Sequence, residues 1–380
     1  MLLKVVSLVV VLLLLSIALY AYAYRNAREG SPSSTPAVPS TQWTEAISPD
    51  EAALFQHALD TIEAAQKKAA ADTGGPIARG FHTKPHGAML AEFRVLEDLP
   101  EFAKYGIFKQ PGTYPVWIRF SNGSGLSNSD GKPDLRGLAL KLIGSPAPRL
   151  LEEDGDARTQ DLIFLNSAAG AACDLSQYLA FQAAASASEG LFRSLYDQLG
   201  LLETLRMMLY VATDLLPPVS SLTTLDYNSV GPVTMGPYAA KFGLKPVSPP
   251  SPVAYKPSQA DFLRDDLKAR LKAGDLRFDF TVQFFVDEAL TPLGNARAVW
   301  YGRDSAPVKI GELLVKSRDL DSPRAMAELA FGQRLSFNPW HGSKELRPLG
   351  SIQRVRRVLY AASAKRRDAR PEPDGTEKLD

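Results

Sequence analysis

Hydrophobic and polar positions alternate through the middle of the chain, a pattern that is typical of strands with two different faces. In YPVWIRF, residues 114–120, the apolar face runs from Tyr114 to Phe120, whereas Trp117 and Arg119 occupy the other face. Further strands are predicted at LALKLIG (138–144), DLIFLNS (161–167), RFDFTVQFFVD (277–287), ARAVWYG (296–302) and VKIGELLV (308–315).

Helical spacing of apolar residues flanks these strands. Residues 48–72 predict a helix with Ser48 as its cap and Glu51 closing a capping box. Residues 174–216 are strongly amphipathic and are expected mainly to pack on the core, although a membrane-surface or partner-facing role is an alternative. A last helix carries RRVLYAASAKRR, residues 356–367. Strands and helices without regular alternation predict an α+β fold with a mainly antiparallel sheet.

The N-terminus has a different character from the rest of the chain. Residues 5–24 are uncharged and long enough to span a bilayer, although the small-residue pattern around Ala21 also resembles a signal-peptidase site. The protein is therefore expected to be anchored in a membrane by one N-terminal helix, or exported to the periplasm if the segment is cleaved. The predicted organisation is an anchor or signal peptide (1–28), a flexible Ser/Pro/Thr-rich tether (29–44), one folded domain (45–370) and a disordered tail (371–380).

Composition excludes several classes of protein. The 380 residues are 45% hydrophobic and carry a formal net charge of +1, which is ordinary for a globular protein and argues against nucleic-acid binding. A single cysteine, Cys173, excludes an intramolecular disulfide and a cysteine-rich metal site. The four histidines include no HExxH zinc motif. Any basic site must therefore act locally.

Positive charge is concentrated around one tyrosine near the C-terminus. Because each helical residue turns by about 100°, Arg356, Tyr360 and Arg367 share a narrow stripe. Guanidinium groups beside a phenol favour the phenolate, which can ligate ferric haem, and arginine also pairs with carboxylates such as haem propionates. A solvated basic helix would have the same stripe, so this helix alone leaves both interpretations open.

The stripe resembles the proximal helix of the haem catalase superfamily. In that helix, an Arg-x-x-x-Tyr pattern is followed by another arginine seven residues after the tyrosine. The resemblance implies that Tyr360 is the axial ligand of ferric haem b. It also implies that Arg356 keeps the phenol ionised and that Arg367 binds a propionate. LSFNP at 335–339 is similar to the family's Phe-Asn-Pro signature, whereas Ala362 replaces an acidic residue of the family.

An early segment, ARGFHTKPHGAMLAEF (78–93), resembles the strand that carries the family's catalytic histidine. This resemblance implies that Arg79 binds the cofactor and that His82 is the acid–base group. His86, four residues later, is the alternative if the register slips.

The segments VWIRFSNGSG and PDLRGLALKL resemble the family motifs that come next along the chain. They imply that Arg119 is a propionate partner and that Ser121 hydrogen-bonds the distal imidazole. The motifs follow in order over about residues 76–368.

Two family features are missing. The distal asparagine should fall near ARTQDLIF, where Thr159 or Gln160 stands, and Thr159 is the candidate for its role. The aromatic residue that covers the haem should fall within 166–175, which contains mainly small residues. These departures predict a wider and less polar pocket.

The resemblance implies a catalase-like antiparallel β-barrel surrounded by helices, so that 45–370 would be a haem domain. The implied activity is haem-dependent processing of a small hydroperoxide by a catalase, a peroxidase, or a hydroperoxide isomerase or lyase. Organic or lipid hydroperoxides are candidate substrates because of the predicted anchor and wide pocket. The alternative is a membrane-tethered haem-binding protein without turnover. The expected partners are haem, a peroxide and a membrane, and the sequence defines no oligomeric state.

Overall fold

The computed structural model describes residues 38–146, 148–185, 188–247 and 259–377. The predicted anchor or signal segment, 1–28, lies outside these ranges, as does the first part of the tether. Within the described ranges, no helix combines the length and the hydrophobicity needed to cross a bilayer.

The strands of the described residues form one antiparallel sheet that closes on itself. Strand β5 pairs with both β4 and β7, so eight strands close into a barrel, and β6 extends it beyond β7. The strands are β1 (Pro85–Val95), β2 (Gly112–Asn122), β3 (Arg136–Ile143), β4 (Thr159–Leu165), β5 (Tyr227–Asn228), β6 (Val233–Met235), β7 (Tyr238–Pro246), β8 (Leu276–Phe284) and β9 (Val308–Val315).

Helices pack around the outside of the barrel. Helix α1 packs against α6, α2 against α3, and α5 covers β1 and β2. The helices are α1 (Glu51–Thr73), α2 (Leu175–Ala185), α3 (Leu191–Tyr210), α4 (Phe262–Ala273), α5 (Pro323–Arg334) and α6 (Ser351–Arg366). The expectation of an antiparallel barrel with surrounding helices is confirmed.

The two faces of β2 separate as its alternation predicts. Ile118 and Phe120 are fully buried in the barrel interior beside Phe93. On the outer face, Trp117 stacks on Phe331 of α5 with 4.7 Å between ring centroids. Each such apolar side chain contributes about 1.5–3 kcal/mol when it leaves water. The inner face therefore builds the core, and the outer face fixes a helix.

Two local predictions are wrong. Residues 296–302 form a loop rather than a strand, in which Trp300 is buried and the Lys241 amine of β7 lies 4.9 Å from the centroid of its ring. Helix α1 has no capping box, since the Ser48 hydroxyl bonds the side chain of Asp50. Glu51 instead accepts from Arg354, which ties α1 to α6.

Both ends of the domain extend further than the sequence suggests. The Trp43 indole, in the predicted tether, donates to the Pro237 carbonyl at 2.8 Å. In the predicted tail, Glu372 lies 3.0 Å from His341 Nδ1 and accepts from the Thr159 hydroxyl and the buried Lys141 ammonium. Lys141 also pairs with Asp161 at 2.7 Å. The C-terminal segment is therefore held against the barrel by a buried charge cluster.

The protonation states of this cluster follow from its charges. Burial raises the pKa of Glu372, but the charges and hydrogen bonds of Lys141 and His341 outweigh it and bring that pKa well below its usual range. Burial lowers the pKa of His341, but hydrogen bonds to Asp161 and Glu372 raise it to about 9. Glu372 is therefore a carboxylate and His341 an imidazolium near neutral pH.

We expect Glu372→Gln to lower the free energy of unfolding by about 3 kcal/mol, because Lys141 and His341 lose a buried counter-charge. Urea unfolding of the full chain measures this loss. Glu63→Gln, which removes an exposed partner of Lys67, is the control and should leave stability nearly unchanged.

The contribution of Glu372 should also depend on pH in a defined direction. Its lowered pKa means that this stabilisation is present above the unfolded pKa of a glutamate and disappears as the pH falls. The raised pKa of His341 means that its own contribution is complete below pH 6.5 and is lost as the pH rises towards 9. A loss upon Glu372→Gln that stays constant from about pH 3 to pH 10 would contradict this assignment.

Candidate active site

One cavity gathers most of the residues that the sequence singles out. It lies between the outer face of β2, β3 and β4, the segment before β1, and helix α6. Six of the eight candidates line it: Arg79, His82, Arg119, Ser121, Tyr360 and Arg367. The remaining two, Thr159 and Arg356, do not.

His82 occupies this cavity in a strained backbone conformation. Its φ of 56° lies in the left-handed region, which costs a non-glycine residue about 1–3 kcal/mol. The backbone offsets this strain through two contacts: the His82 amide donates to the Gly123 carbonyl at 3.0 Å, and the His82 carbonyl accepts from Arg119 Nη2 at 2.8 Å. The imidazole Nδ1 lies 3.0 Å from the Ser121 hydroxyl. Position and ring orientation are therefore both fixed.

A glycine in β3 provides the space for this imidazole. A Cβ atom at Gly137 would lie 2.4 Å from His82 Nδ1, far inside van der Waals contact. The glycine of the LRG sequence that ends the β2–β3 connection is therefore required for steric reasons.

Burial, followed by the charges of Arg119, Arg356 and Arg79, lowers the pKa of His82 to about 3. The imidazole is therefore neutral at physiological pH. A neutral imidazole has one donor and one acceptor nitrogen. With Nδ1 beside Ser121, Nε2 is the nitrogen that can exchange a proton with a ligand in the cavity.

Three arginines meet at the C-terminus of α5. Arg79 donates to the Leu335 carbonyl at 2.6 Å, and Arg367 donates to the same carbonyl at 2.7 Å. Arg119 Nε donates to the Gln333 side-chain oxygen at 2.8 Å. The last carbonyls of a helix have no partner within the helix, so these contacts satisfy them.

This arginine trio lacks a full counter-charge. Among the described residues, none of the three forms an ion pair with a carboxylate, and all their acceptors named above are neutral. Burial and the neighbouring guanidinium of Arg367 lower the pKa of Arg119 to about 9, and burial lowers that of Arg367 to about 10. Burial also holds the pKa of Arg79 well below its usual value. Since arginine stays protonated in proteins, the site favours an anionic ligand.

Tyr360 reaches the cavity from α6, where Leu359 and Ser363 line it as well. Arg356 lies one turn earlier on the same helix and donates to the Gln353 side-chain oxygen at 2.7 Å. Its charge still affects the site, because it contributes to the lowered pKa of His82. Arg356 thus influences the cavity without lining it.

Thr159 and His86 belong to other clusters. The Thr159 hydroxyl donates to Glu372 at 2.6 Å, at the far end of β4 from the cavity. His86 is fully buried, with Nε2 2.8 Å from Asn122 Oδ1, and burial lowers its pKa to about 4. Because both side chains are committed to buried polar networks, neither is placed to contact a ligand in this cavity.

The cavity also contains aromatic residues that the sequence reading did not anticipate. Phe81 and Phe337 line it together with small residues such as Gly80 and Ala139, whereas none of residues 166–175, where the covering aromatic is expected, is among the lining residues. Phe337 belongs to the LSFNP segment and could have been found from that motif. Gln333, which positions Arg119, has no sequence signal.

Three comparisons relate this chain to known proteins. No protein-family model matches it. It is 27% identical over 271 residues to the catalase-related peroxidase of Mycolicibacterium paratuberculosis, an alignment that covers 67% of this chain and 78% of that protein. A fungal catalase matches with a TM-score of 0.60 and 14% identity over 89% of this chain and 67% of the catalase. A bacterial catalase matches with a TM-score of 0.59 and 15% identity over 90% and 67%.

A closed antiparallel barrel with helices packed outside it is thus the fold that this chain shares with solved catalases. The curated relative adds similarity at the level of sequence. The chain is thus similar in sequence to a catalase-related peroxidase and similar in fold to solved catalases.

The fit between Gly137 and His82 can be tested through stability. We expect Gly137→Ala to cost about 1–3 kcal/mol, because the new methyl group overpacks the imidazole. Removing the imidazole first, in His82→Ala, should abolish most of that cost, so a double-mutant cycle by urea unfolding isolates the contact. Gly75→Ala is the control, since its Cβ would meet only the Thr73 hydroxyl at 3.4 Å. An equal cost of Gly137→Ala in both backgrounds would exclude the contact.

Proposed function

We propose that this protein is a haem-dependent oxidoreductase of the catalase or peroxidase type that processes hydroperoxides. The observation that carries the proposal is the convergence of Tyr360, His82 and the uncompensated arginine trio on one cavity. Haem is a flat apolar macrocycle with two carboxylates and a metal that accepts a phenolate ligand. The lining supplies each counterpart: apolar side chains such as Ile62, Ile163 and Phe337, buried guanidinium groups, and one phenol.

In this proposal, Tyr360 would ligate the iron, and Arg79, Arg119 and Arg367 would neutralise the propionates. Bound haem would supply the iron centre at which the peroxide O–O bond is reduced. The neutral His82 would accept a proton from the inner oxygen of the peroxide and return it to the departing oxygen. Ser121 would hold the imidazole in place during both transfers.

The lining of the pocket bears on which hydroperoxides the protein would accept. The aromatic lining makes the pocket apolar, which supports organic hydroperoxides, including lipid hydroperoxides, as substrates beside hydrogen peroxide. Attachment to a membrane through the N-terminal apolar run would bring the domain close to such lipids. The competing candidate is a tethered haem-binding protein without turnover, which would need Tyr360 and the arginines but not His82.

We expect Tyr360→Phe to lose most of the bound haem, because the iron loses its anionic ligand and no other phenol lines the cavity in the described residues. The detergent-solubilised full chain is loaded with haem, and the haem-to-protein ratio is measured from its absorption spectrum. Tyr196→Phe, on the exposed side of α3, is the matched control and should retain haem. An unchanged spectrum for Tyr360→Phe would instead support a solvated basic helix.

We expect His82→Ala to retain haem and to react with hydroperoxides about 10²–10⁴-fold more slowly, as is typical when a general acid–base group is lost. Stopped-flow absorption measures the rate with hydrogen peroxide and with an organic hydroperoxide. His57→Ala, on the exposed face of α1, is the control. If the unmodified, haem-loaded chain reacts with neither peroxide, the haem-binding alternative is correct.

A further inference from the structure

Helix α3 exposes an unusual number of large apolar side chains. Phe192, Tyr196, Leu201, Leu202 and Leu205 are between 45% and 61% exposed, and we call this group the α3 face. The non-helical backbone of Gly200, with a φ of 76°, divides α3 into two helical segments. Phe192 and Tyr196 lie on the first segment and the three leucines on the second, all within fourteen consecutive residues. Soluble proteins rarely leave such clusters uncovered unless they bind something.

The α3 face is not required to build the core. The opposite side of the helix is already packed, with Leu195 and Met207 fully buried against Ala172 and Ala184. Neighbouring charges on the exposed side are paired, as Arg193 is with Asp197 at 2.8 Å. The outer surface is therefore apolar, nearly neutral and unused by the fold.

The start of the described chain lies near this helix. Ser40 donates to the Phe285 carbonyl, and Trp43 packs with Leu293 of the loop that follows. The same loop continues to Arg297, which pairs with Glu203 of α3 at 2.8 Å. One loop thus contacts both the beginning of the domain and α3.

The chain before this point contains the uncharged run 5–24 and only a short connection to Val38. Residues 25–37 span at most roughly 40–45 Å when fully extended. A bilayer that holds the run would therefore stay within reach of the α3 face. Phe192 and Tyr196 are of the residue type that favours the boundary between lipid headgroups and acyl chains.

We propose that the α3 face docks on the surface of the lipid bilayer that the N-terminal run enters. Because the charges beside it are paired, docking should not require anionic lipids. The helix would lie in the interface, with its apolar side chains below the headgroups and its packed side facing the domain. This surface is separate from the cavity, so docking and haem binding can fail independently.

The test uses the full chain in phosphatidylcholine vesicles. Cys173→Ser removes the single native thiol, and Leu202→Cys carries an environment-sensitive fluorophore. Met326→Cys on α5, with 48% exposure, carries the same label as a matched control. We expect lipid with a nitroxide near the top of the acyl chain to quench the label at 202 about threefold more strongly, since docked apolar faces sit about 5–10 Å deep. Both variants attach through the same N-terminus, so attachment alone cannot produce the difference.

Hydrogen exchange of the unmodified chain provides a second measurement that needs no label. Vesicles should slow exchange in 191–216 and leave α5 unchanged. Equal quenching at both positions in vesicle-bound protein, with unchanged exchange in 191–216, would overturn the proposal. Shielding at 202 that rises with protein concentration in the absence of lipid would assign the face to a second copy and also overturn it. Failure of the chain to float with vesicles would do the same.

Discussion

The C-terminus of helix α5 is the point on which the site depends. Its last carbonyls lack helical partners and carry the negative end of the helix dipole, worth about half a charge. Arg79, Arg119 and Arg367 come from three separate parts of the chain, and all donate to residues 332–335. One helix end therefore joins the segment before β1, strand β2 and the end of α6. The three guanidinium groups carry more positive charge than the dipole of α5 can neutralise, so the arginine trio still favours an anionic ligand.

The same charges determine the state of the histidine. Arg119 is fixed by Gln333 and in turn holds the His82 carbonyl, which keeps the residue at a positive φ. After burial, it is the arginine charges that lower the pKa of His82 to about 3. The cluster that would attract propionates thus also keeps the imidazole neutral and able to accept a proton. Under the proposed function, the same side chains would therefore serve both anion binding and proton transfer.

The sequence predicts the barrel well where a strand has one apolar face, as β2 and β9 do, because alternation directly reports burial. It misses α4, although Leu263, Leu267 and Leu271 recur every four residues there and are fully buried. It assigns a strand to 296–302, which is a loop whose only buried residue is Trp300. The local pattern of hydrophobic residues indicates which positions are buried, but it does not indicate the residues against which they pack.

For the site, the resemblance to the family motifs identifies residues that lie close together in the sequence, such as Arg79 with His82 and Arg356 with Tyr360. It fails for Thr159, because a position within β4 depends on a long connection whose length cannot be aligned by eye. Glu372 lies in a segment that looks like a polar tail, and its partners Lys141, Thr159 and His341 all come from distant parts of the chain. Contacts across such distances follow from the closed barrel, which the local sequence does not encode.

The backbone at His82 bears on whether the protein turns substrate over. A haem carrier requires an iron ligand and counter-charges for the propionates, which Tyr360 and the arginine trio would provide under the proposed function. It has no use for a histidine held at a φ of 56°, a glycine that leaves room for its ring, or a hydroxyl 3.0 Å from Nδ1. Strain of this kind costs about 1–3 kcal/mol and is usually kept where a function needs it. A neutral imidazole so fixed beside the same cavity favours proton transfer, and therefore catalysis, over storage.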